Sequence, residues 1–332
     1  MVSGPIIIDA MGGDFAPIEI IKGAYDAYLK YSAEIVLVGI KDKIEKAAQD
    51  LNIDLKVFKI ENCTQEVLMN DHPSDVVRHK KDSSIYVGTK ILAENPDGAF
   101  VSAGNTGAVM ASALLNAKRL EGVLRPAIAV VIPIADKPVL IIDAGANADC
   151  KPQYLKQFAL MGKIYYENIL NIPNPKIGLL NVGGEEGKGN ELSIQAYDLL
   201  KGFKEINFCG NIEGRELFDG AAHVVVCDGF TGNVLLKSVE GLAGLFFSEI
   251  RQILIANFTS KLCAAILKKP FKNMKKKFDY EEYGGAFLVG VNGIVIISHG
   301  SSKAKAITNA VRVAVEGQKS RVVEKIAAEI NI

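Results

Sequence analysis

The chain has 332 residues, 49% of them hydrophobic, enough to bury a large core as one big domain or two smaller ones. Its 38 basic and 38 acidic residues cancel, which removes any global pull toward nucleic acid and leaves partners to be read from local clusters. Five widely spaced cysteines without a CxxC pair argue against a disulfide framework or a zinc site and fit a reducing cytoplasm.

The N-terminus, "MVSGPIIIDAMGGD", lacks a basic leader and turns acidic by Asp9, unlike a signal peptide. No apolar run is long enough to span a bilayer. From there, short β-branched runs alternate with amphipathic helical patterns. "PIIIDA" precedes a helix near Pro17, and "AEIVLVG" one from about Asp42. "GAFVSA" leads into "GNTGAVMASALL", and "VLIIDAG" into "ANADCKPQYLKQFALMG". "KIGLLNVGG" precedes a helix after Asn190, "HVVVCDG" precedes "FTGNVLLKSVEG", and "GIVIISHG" precedes "SSKAKAITNAVRVAVEG". Seven such units predict an α/β protein, a mostly parallel sheet in three α/β/α layers, with strands buried on both faces. Residues 1–332 read as a single large domain. Asn190 is placed to cap the helix starting at Glu191, and Ser301 or Ser302 the helix after His299.

Small and polar residues crowd the strand–helix junctions: Asp9 through Asp14, Gly104 through Gly107, Asp143 through Asn147, Gly187 through Asn190, Asp228 through Asn233, and His299 through Ser302. If all seven strands are parallel, these loops share one edge of the sheet and meet around one crevice. Helix N-termini there offer free amides, and glycines admit close approach, which suits a phosphate or a developing oxyanion. Lys188, flanked by Gly187 and Gly189, is either a phosphate-holding point charge or a solvated surface lysine. The loop is no Walker A motif, because only three residues separate Gly183 from Gly187 and no Ser or Thr follows Lys188. Glu185 and Glu186 must point away from any anion bound there, or Lys188 must outweigh them. His299 either contacts phosphate or a leaving group, or is a structural donor. Asp9, Asp14, Asp143 and Asp228 either gather Mg²⁺ or hold loop amides and helix starts, and the second reading is preferred.

From Leu235 the spacing Leu235, Val239, Leu242, Phe246, Ile250, Ile253 predicts one buried helical face. Further apolar residues widen it. "KKPFKNMKKKFD" then packs six lysines between Lys268 and Lys277, with Pro270 expected to end a second helix. Residues 235–278 thus read as a projecting amphipathic hairpin. It serves as a subunit interface, as a contact with an anionic membrane, or as a dock for an acidic protein.

The blocks "DAMGGDFAP", "SAGNTGAVMASAL", "RPAIA", "GLLNVGGEEGKGNEL", "VVVCDGFTGNVLLKSVEG" and "YGGAFLVGVNGIVIISHGSS" closely resemble the bacterial fatty acid/phospholipid synthesis family PlsX, in order and across almost the whole chain. Ala148, Phe287 and Lys118 depart from its usual valine, proline and glycine. The resemblance implies an isopropylmalate dehydrogenase-like fold and a homodimer. It implies conversion of acyl-acyl-carrier protein and inorganic phosphate to acyl phosphate and free carrier protein, without a cofactor or metal. It also implies a cytoplasmic protein touching the inner face of the membrane, close to a glycerol-phosphate acyltransferase. Carried over by motif, Lys188, Asn233 and His299 are the expected catalytic residues. Asp9, Gly12, Gly13, Asn105, Thr106, Asn147, Gly189 and Asp228 are expected to bind substrate. A coenzyme A-dependent phosphotransacetylase, a metal- and NAD-dependent dehydrogenase and a non-catalytic membrane scaffold are the competing readings.

Overall fold

The computed structural model describes residues 4–133, 138–277, 282 and 284–330. In chain order the elements are β1 (Ile6–Asp9), α1 (Ile18–Tyr31), β2 (Ile35–Gly39), α2 (Lys41–Leu51), β3 (Lys59–Asn62), α3 (Pro73–His79), α4 (Ser84–Glu94), β4 (Ala99–Ser102), α5 (Thr106–Asn116), β5 (Ala127–Ile132) and β6 (Val139–Ile142). There follow α6 (Pro152–Ile169), β7 (Lys176–Asn181), α7 (Glu191–Lys201), β8 (Asn207–Glu213), β9 (Val224–Val226), α8 (Gly229–Ile255), α9 (Phe258–Lys277), β10 (Ala286–Val289), β11 (Ile294–Ile297), α10 (Ala304–Ser320) and α11 (Val322–Glu329).

All eleven strands form one sheet, ordered β3-β2-β1-β4-β11-β10-β5-β6-β9-β7-β8. Successive side chains of a strand point to opposite faces. Ile6 and Ile8 accordingly join a core with α1, α6 and α10, while Ile7 joins a second core with α4 and α5. Buried on both faces, β1 has no polar alternation, and the three isoleucines are at most 1% exposed. At roughly 1.5–3 kcal/mol per fully buried side chain, such strands anchor the loops that leave them.

The pairing is mostly parallel, as expected, but the expected single edge does not form. β3, β2, β1, β4 and β11 are mutually parallel, and so are β6, β9, β7 and β8. Between the two blocks lie three antiparallel pairings, β11 with β10, β10 with β5, and β5 with β6. Three reversals are an odd number, so the blocks run in opposite directions. The loops after β1, β4 and β11 leave one edge of the sheet, and those after β6, β9 and β7 leave the other. β5 and β10, which cause this, come from "RPAIAVVI" and "GAFLVG", segments that carry no junction loop of the expected kind.

Two helix ends also differ from expectation. α10 starts at Ala304, and its first amide is accepted by Glu19 Oε2 at 2.8 Å, not by Ser301 or Ser302. Pro270 lies inside α9, which runs on to Lys277. Pro270 is exposed, so water can satisfy the carbonyl that its missing amide leaves open. α8 and α9 pack on each other as a hairpin. The predicted buried stripe on α8 is only partly covered within one chain: Leu235, Val239 and Ile250 are half-buried, whereas Leu242, Phe246 and Ile253 are 61–67% exposed. Of the six lysines, the described side chains are Lys268 and Lys269, both exposed, and residue 278 lies outside the described residues.

Candidate functional site

At the first edge, the sequence after β1 makes a tight loop against the loops after β4 and β11. The buried Asp9 accepts the Met11 amide at 3.0 Å and the Ser102 hydroxyl at 2.6 Å. Burial pushes its carboxyl above the usual carboxylate range, against the opposing pull of these hydrogen bonds. The Asp14 amide donates to Gly300 O at 2.7 Å, tying the first loop to the last. A Cβ on Gly12 would stand 2.7 Å from the Gly104 nitrogen, so this residue's lack of a side chain sets the spacing of the β1 and β4 loops.

Asn105 caps α5 by accepting the Ala108 amide at 3.0 Å. Its amide group also donates to the carbonyls of Met69 and Asp71, at 3.0 and 2.9 Å. One side chain thus fixes both a helix start and the neighbouring 68–71 loop, which Lys80 braces through Asp71 at 2.5 Å. The first amides of a helix have no acceptor within it, so those of Thr106 and Gly107 open α5 with positive polarity. His299 is exposed on the loop after β11. Its Nδ1 accepts the Ser301 amide at 3.2 Å and lies 2.7 Å from the Ser301 hydroxyl. An Nδ1 that accepts assigns the neutral ring's proton to Nε2.

At the second edge, Asp143 is the hub. Its carboxylate accepts the amides of Ile128, Gly145, Ala146 and Asn147 at 2.7–3.1 Å, and Asn147 Nδ2 at 2.9 Å. Asp143 thus holds loop amides, the reading preferred for it from the sequence, and those amides are not free for a bound anion. Burial raises the Asp143 pKa. Asn147 also donates to Pro126 O at 2.7 Å. Asp228 caps α8 through the Thr231 amide and hydroxyl at 2.9 and 2.7 Å. Gly232 passes so close to Asp143 O that a Cβ there would stand 1.9 Å away. Asn233, exposed, lies one turn into α8 beside Gly145.

Lys188 follows β7 at this same edge. It is exposed and forms no ion pair among the described residues. Its carbonyl accepts Asn181 Nδ2 at 2.9 Å. Gly189 has φ +100°, and a Cβ there would stand 2.4 Å from Asn181 Oδ1. Glu186 turns away, onto Tyr197 OH at 3.1 Å and Lys201 Nζ at 2.8 Å, the second holding its carboxyl below the usual range. Asn190 caps α7 through the Ser193 amide at 2.9 Å, as expected.

The predicted residues therefore fall into two groups. Asp9, Gly12, Gly13, Asn105, Thr106 and His299 share the first edge. Asn147, Asp228, Asn233, Lys188 and Gly189 follow strands ending at the second. Of the four aspartates considered for Mg²⁺, Asp9 and Asp143 hold loop amides and Asp228 caps a helix. The described residues contain no group of three or more His, Cys, Asp or Glu arranged for a metal ion. Composition alone did not single out Ser102, Asp71 or Pro126; each is found only through a partner distant in sequence.

The sequence profile described as "Fatty acid synthesis protein" matches residues 5–325. The chain belongs to that family. Among curated relatives of this family, a phosphate acyltransferase of Dictyoglomus turgidum is 50% identical over 98% of this chain and 97% of its own length. One of Thermoanaerobacterium thermosaccharolyticum is 48% identical over 98% and 97%. In fold, the family member is similar to a phosphotransacetylase from Streptococcus pyogenes, at 17% identity, TM-score 0.64 and coverage of 97% and 94% of the two chains. It is also similar to 4-hydroxythreonine-4-phosphate dehydrogenase from Klebsiella pneumoniae, at 13% identity, TM-score 0.53 and coverage of 97% and 99%.

Proposed function

We propose that this protein is a phosphate acyltransferase that moves the acyl group of an acyl-carrier-protein thioester to inorganic phosphate. The observation that carries the reading is the match over 98% of the chain to proteins named phosphate acyltransferase. A phosphate oxygen attacks the thioester carbonyl, the carbon–sulfur bond breaks, and the carrier thiolate leaves and takes up, through solvent, the proton that the hydrogen phosphate gives up. Phosphate is already anionic near neutral pH, so the protein's task is to orient it and to stabilise the tetrahedral oxyanion.

The cysteines favour direct attack. Burial pushes Cys63 and Cys150 up to about 12 and also raises Cys209 and Cys227, whereas a nucleophilic cysteine needs a lowered pKa. The side chain of Cys263, in α9, is not among those described.

In this reading the Thr106 and Gly107 amides, Gly12, Gly13 and the His299 Nε2–H serve the anion and the departing thiolate from the first edge, with Asp9 and Asn105 holding the loops. Lys188 supplies a cation and Asn233 an oxyanion donor from the second, where Asn147, Gly189 and Asp228 shape the loops. Because the strands oppose one another, Lys188 and His299 reach one phosphate only across the sheet.

The protein works as a homodimer, in the cytoplasm, against the inner face of the membrane. There its acyl phosphate is passed to a glycerol-phosphate acyltransferase. Support comes from the exposed apolar residues of α8 and α9.

Mixing acyl-carrier protein, phosphate and enzyme should yield acyl phosphate. Thioester that survives regardless of phosphate overturns the reading, and acylated enzyme accumulating without phosphate overturns direct attack. Lys188→Ala should abolish turnover with unchanged melting; a normal rate removes Lys188 from the site.

A further inference from the structure

An open cavity of about 640 Å³ lies between the C-terminal end of α5, the start of β5 and the first turn of α6. Its walls include Leu124, Pro126 and Tyr154, and its cations are Lys118, Arg119 and Arg125. Glu121 is the only acidic residue between Leu114 and Pro126. Arg119 is committed to structure: its guanidinium donates to Val123 O at 3.0 Å and to Leu124 O, which closes the loop. Lys118 and Arg125 are different. Both are exposed, and neither forms an ion pair among the described residues. Arg125 lies 5.9 Å from the Tyr154 ring centroid, a placement that steadies a guanidinium without neutralising it.

The backbone adds a second observation. Lys118 has φ +66°, a left-handed conformation that glycine adopts freely and a lysine does not. It is pinned there from both sides, its amide donating to Ala113 O at 3.1 Å and its carbonyl accepting the Asn292 amide at 2.9 Å. A charged side chain is thus kept at a position that local energetics would give to glycine, on the rim of a cavity. Arg321 takes the same conformation at the end of α10; what distinguishes Lys118 is its place on the rim of the cavity. The cavity also adjoins a candidate loop, because Pro126 O receives the side chain of Asn147 at 2.7 Å.

We propose that the recess rimmed by Lys118 and Arg125 seats the carrier protein of the acyl donor. Two uncompensated cations beside an apolar and aromatic wall suit an acidic protein that carries its acyl group on a phosphate-linked arm. The inference rests on the acyltransferase reading above and adds to it the place where the donor's carrier is held.

The test is the double variant Lys118→Gly, Arg125→Gln, in which glycine relieves the backbone and Arg119 keeps the loop closed. Its KM for acyl-carrier protein should rise about tenfold or more, the loss of roughly one charged contact. Its kcat and its KM for phosphate should stay within about twofold, and the weakening of donor binding by added salt should be smaller than in wild type. Binding of holo-carrier protein without phosphate should weaken in parallel. If the apo-carrier, which lacks the arm, never binds, the contact is to the arm phosphate. If apo and holo forms weaken equally, it is to acidic side chains of the carrier; both results support the proposal. Unchanged carrier binding, or a loss confined to kcat or to the phosphate KM, overturns it. Should wild type make no acyl phosphate at all, the acyltransferase reading fails, and the phosphate-free binding comparison still decides this one.

Discussion

His299 Nδ1 accepts the Ser301 amide at 3.2 Å and sits 2.7 Å from the Ser301 hydroxyl, so the neutral ring carries its proton on Nε2. A neutral ring does not give this proton up, but a fixed N–H can hydrogen-bond the developing oxyanion or the departing thiolate. Removing one such donor costs roughly 10²- to 10³-fold in rate. His299→Ala should therefore lower kcat by at least about 100-fold with little change in melting temperature. Ser301→Ala, which keeps the amide contact and loses the hydroxyl, should cost less than His299→Ala. A His299→Ala enzyme with normal turnover would show that the histidine only shapes the loop.

Asp143 is a different kind of residue, structural although it sits among candidate site loops. Removing its carboxylate leaves the amides of Ile128, Gly145, Ala146 and Asn147 without their acceptor. A buried unsatisfied donor costs roughly 1–3 kcal/mol, and Ile128 is only 4% exposed. Asp143→Ala should lose at least about 3 kcal/mol of stability by denaturant unfolding. Asp143→Asn keeps one acceptor oxygen but turns an amide toward Asn147, and should lose less than the alanine variant. A loss below about 1 kcal/mol for Asp143→Ala would mean that water replaces the hub.

Gly12→Ala tests spacing rather than charge. The added methyl would meet Asp9 Oδ2 at 2.3 Å and the Gly104 nitrogen at 2.7 Å, and the second of these is backbone that cannot rotate away. The β1 and β4 loops must then separate. If they frame the reacting groups, a shift of this size should reduce kcat/KM by roughly 100-fold while circular dichroism keeps the fold's signature. Equal activity in Gly12→Ala would remove these loops from the reaction.

The 68–71 loop carries a pH dependence whose sign is set by Asp71. The hydrogen bond from Lys80, with the Leu68 amide adding to it, holds the Asp71 carboxyl below the usual range. The folded value lies below the unfolded one, about 3.9. The contribution is thus complete above that value and is lost as pH falls through the folded one. Both partners are partly exposed, so it is worth under about 1 kcal/mol. Wild type should exceed Lys80→Met in stability at neutral pH, and the gap should shrink only below about pH 4. A gap that closes between pH 5 and 7 would implicate another group.

The class of the fold was legible because parallel strands buried on both faces leave unbroken apolar runs such as Ile6–Ile8. Helix starts were legible where the cap is local, as at Asn190, which reaches only to Ser193. The start of α10 was not, because Glu19, its capping carboxylate, is 285 residues away. Strand direction was not legible either. β5 and β10 are apolar runs like their neighbours, and periodicity reports burial but carries no sign for polarity. Counting them reverses one block against the other and separates His299 from Lys188 along the sheet. The same limit hid Asp71 and Ser102, whose importance lies in what Asn105 and Asp9 do to them across the fold.

The hairpin of α8 and α9 ends in apolar residues that its own chain does not cover. Phe258 is 83% exposed and Ile266 75%, with Lys268 and Lys269 exposed nearby. Burying one such side chain in an apolar medium contributes roughly 1.5–3 kcal/mol, and each lysine near an anionic surface about 1 kcal/mol. Phe258→Asp with Ile266→Asp should therefore reduce co-sedimentation with phosphatidylglycerol-containing vesicles by at least about tenfold, and added salt should weaken the wild-type contact. Formation of acyl phosphate from dissolved substrates should persist, because neither residue lies at the two sheet edges. If vesicle binding is unchanged and the variant instead falls apart into monomers on gel filtration, the exposed stripe belongs to a subunit interface and the lipid contact lies elsewhere.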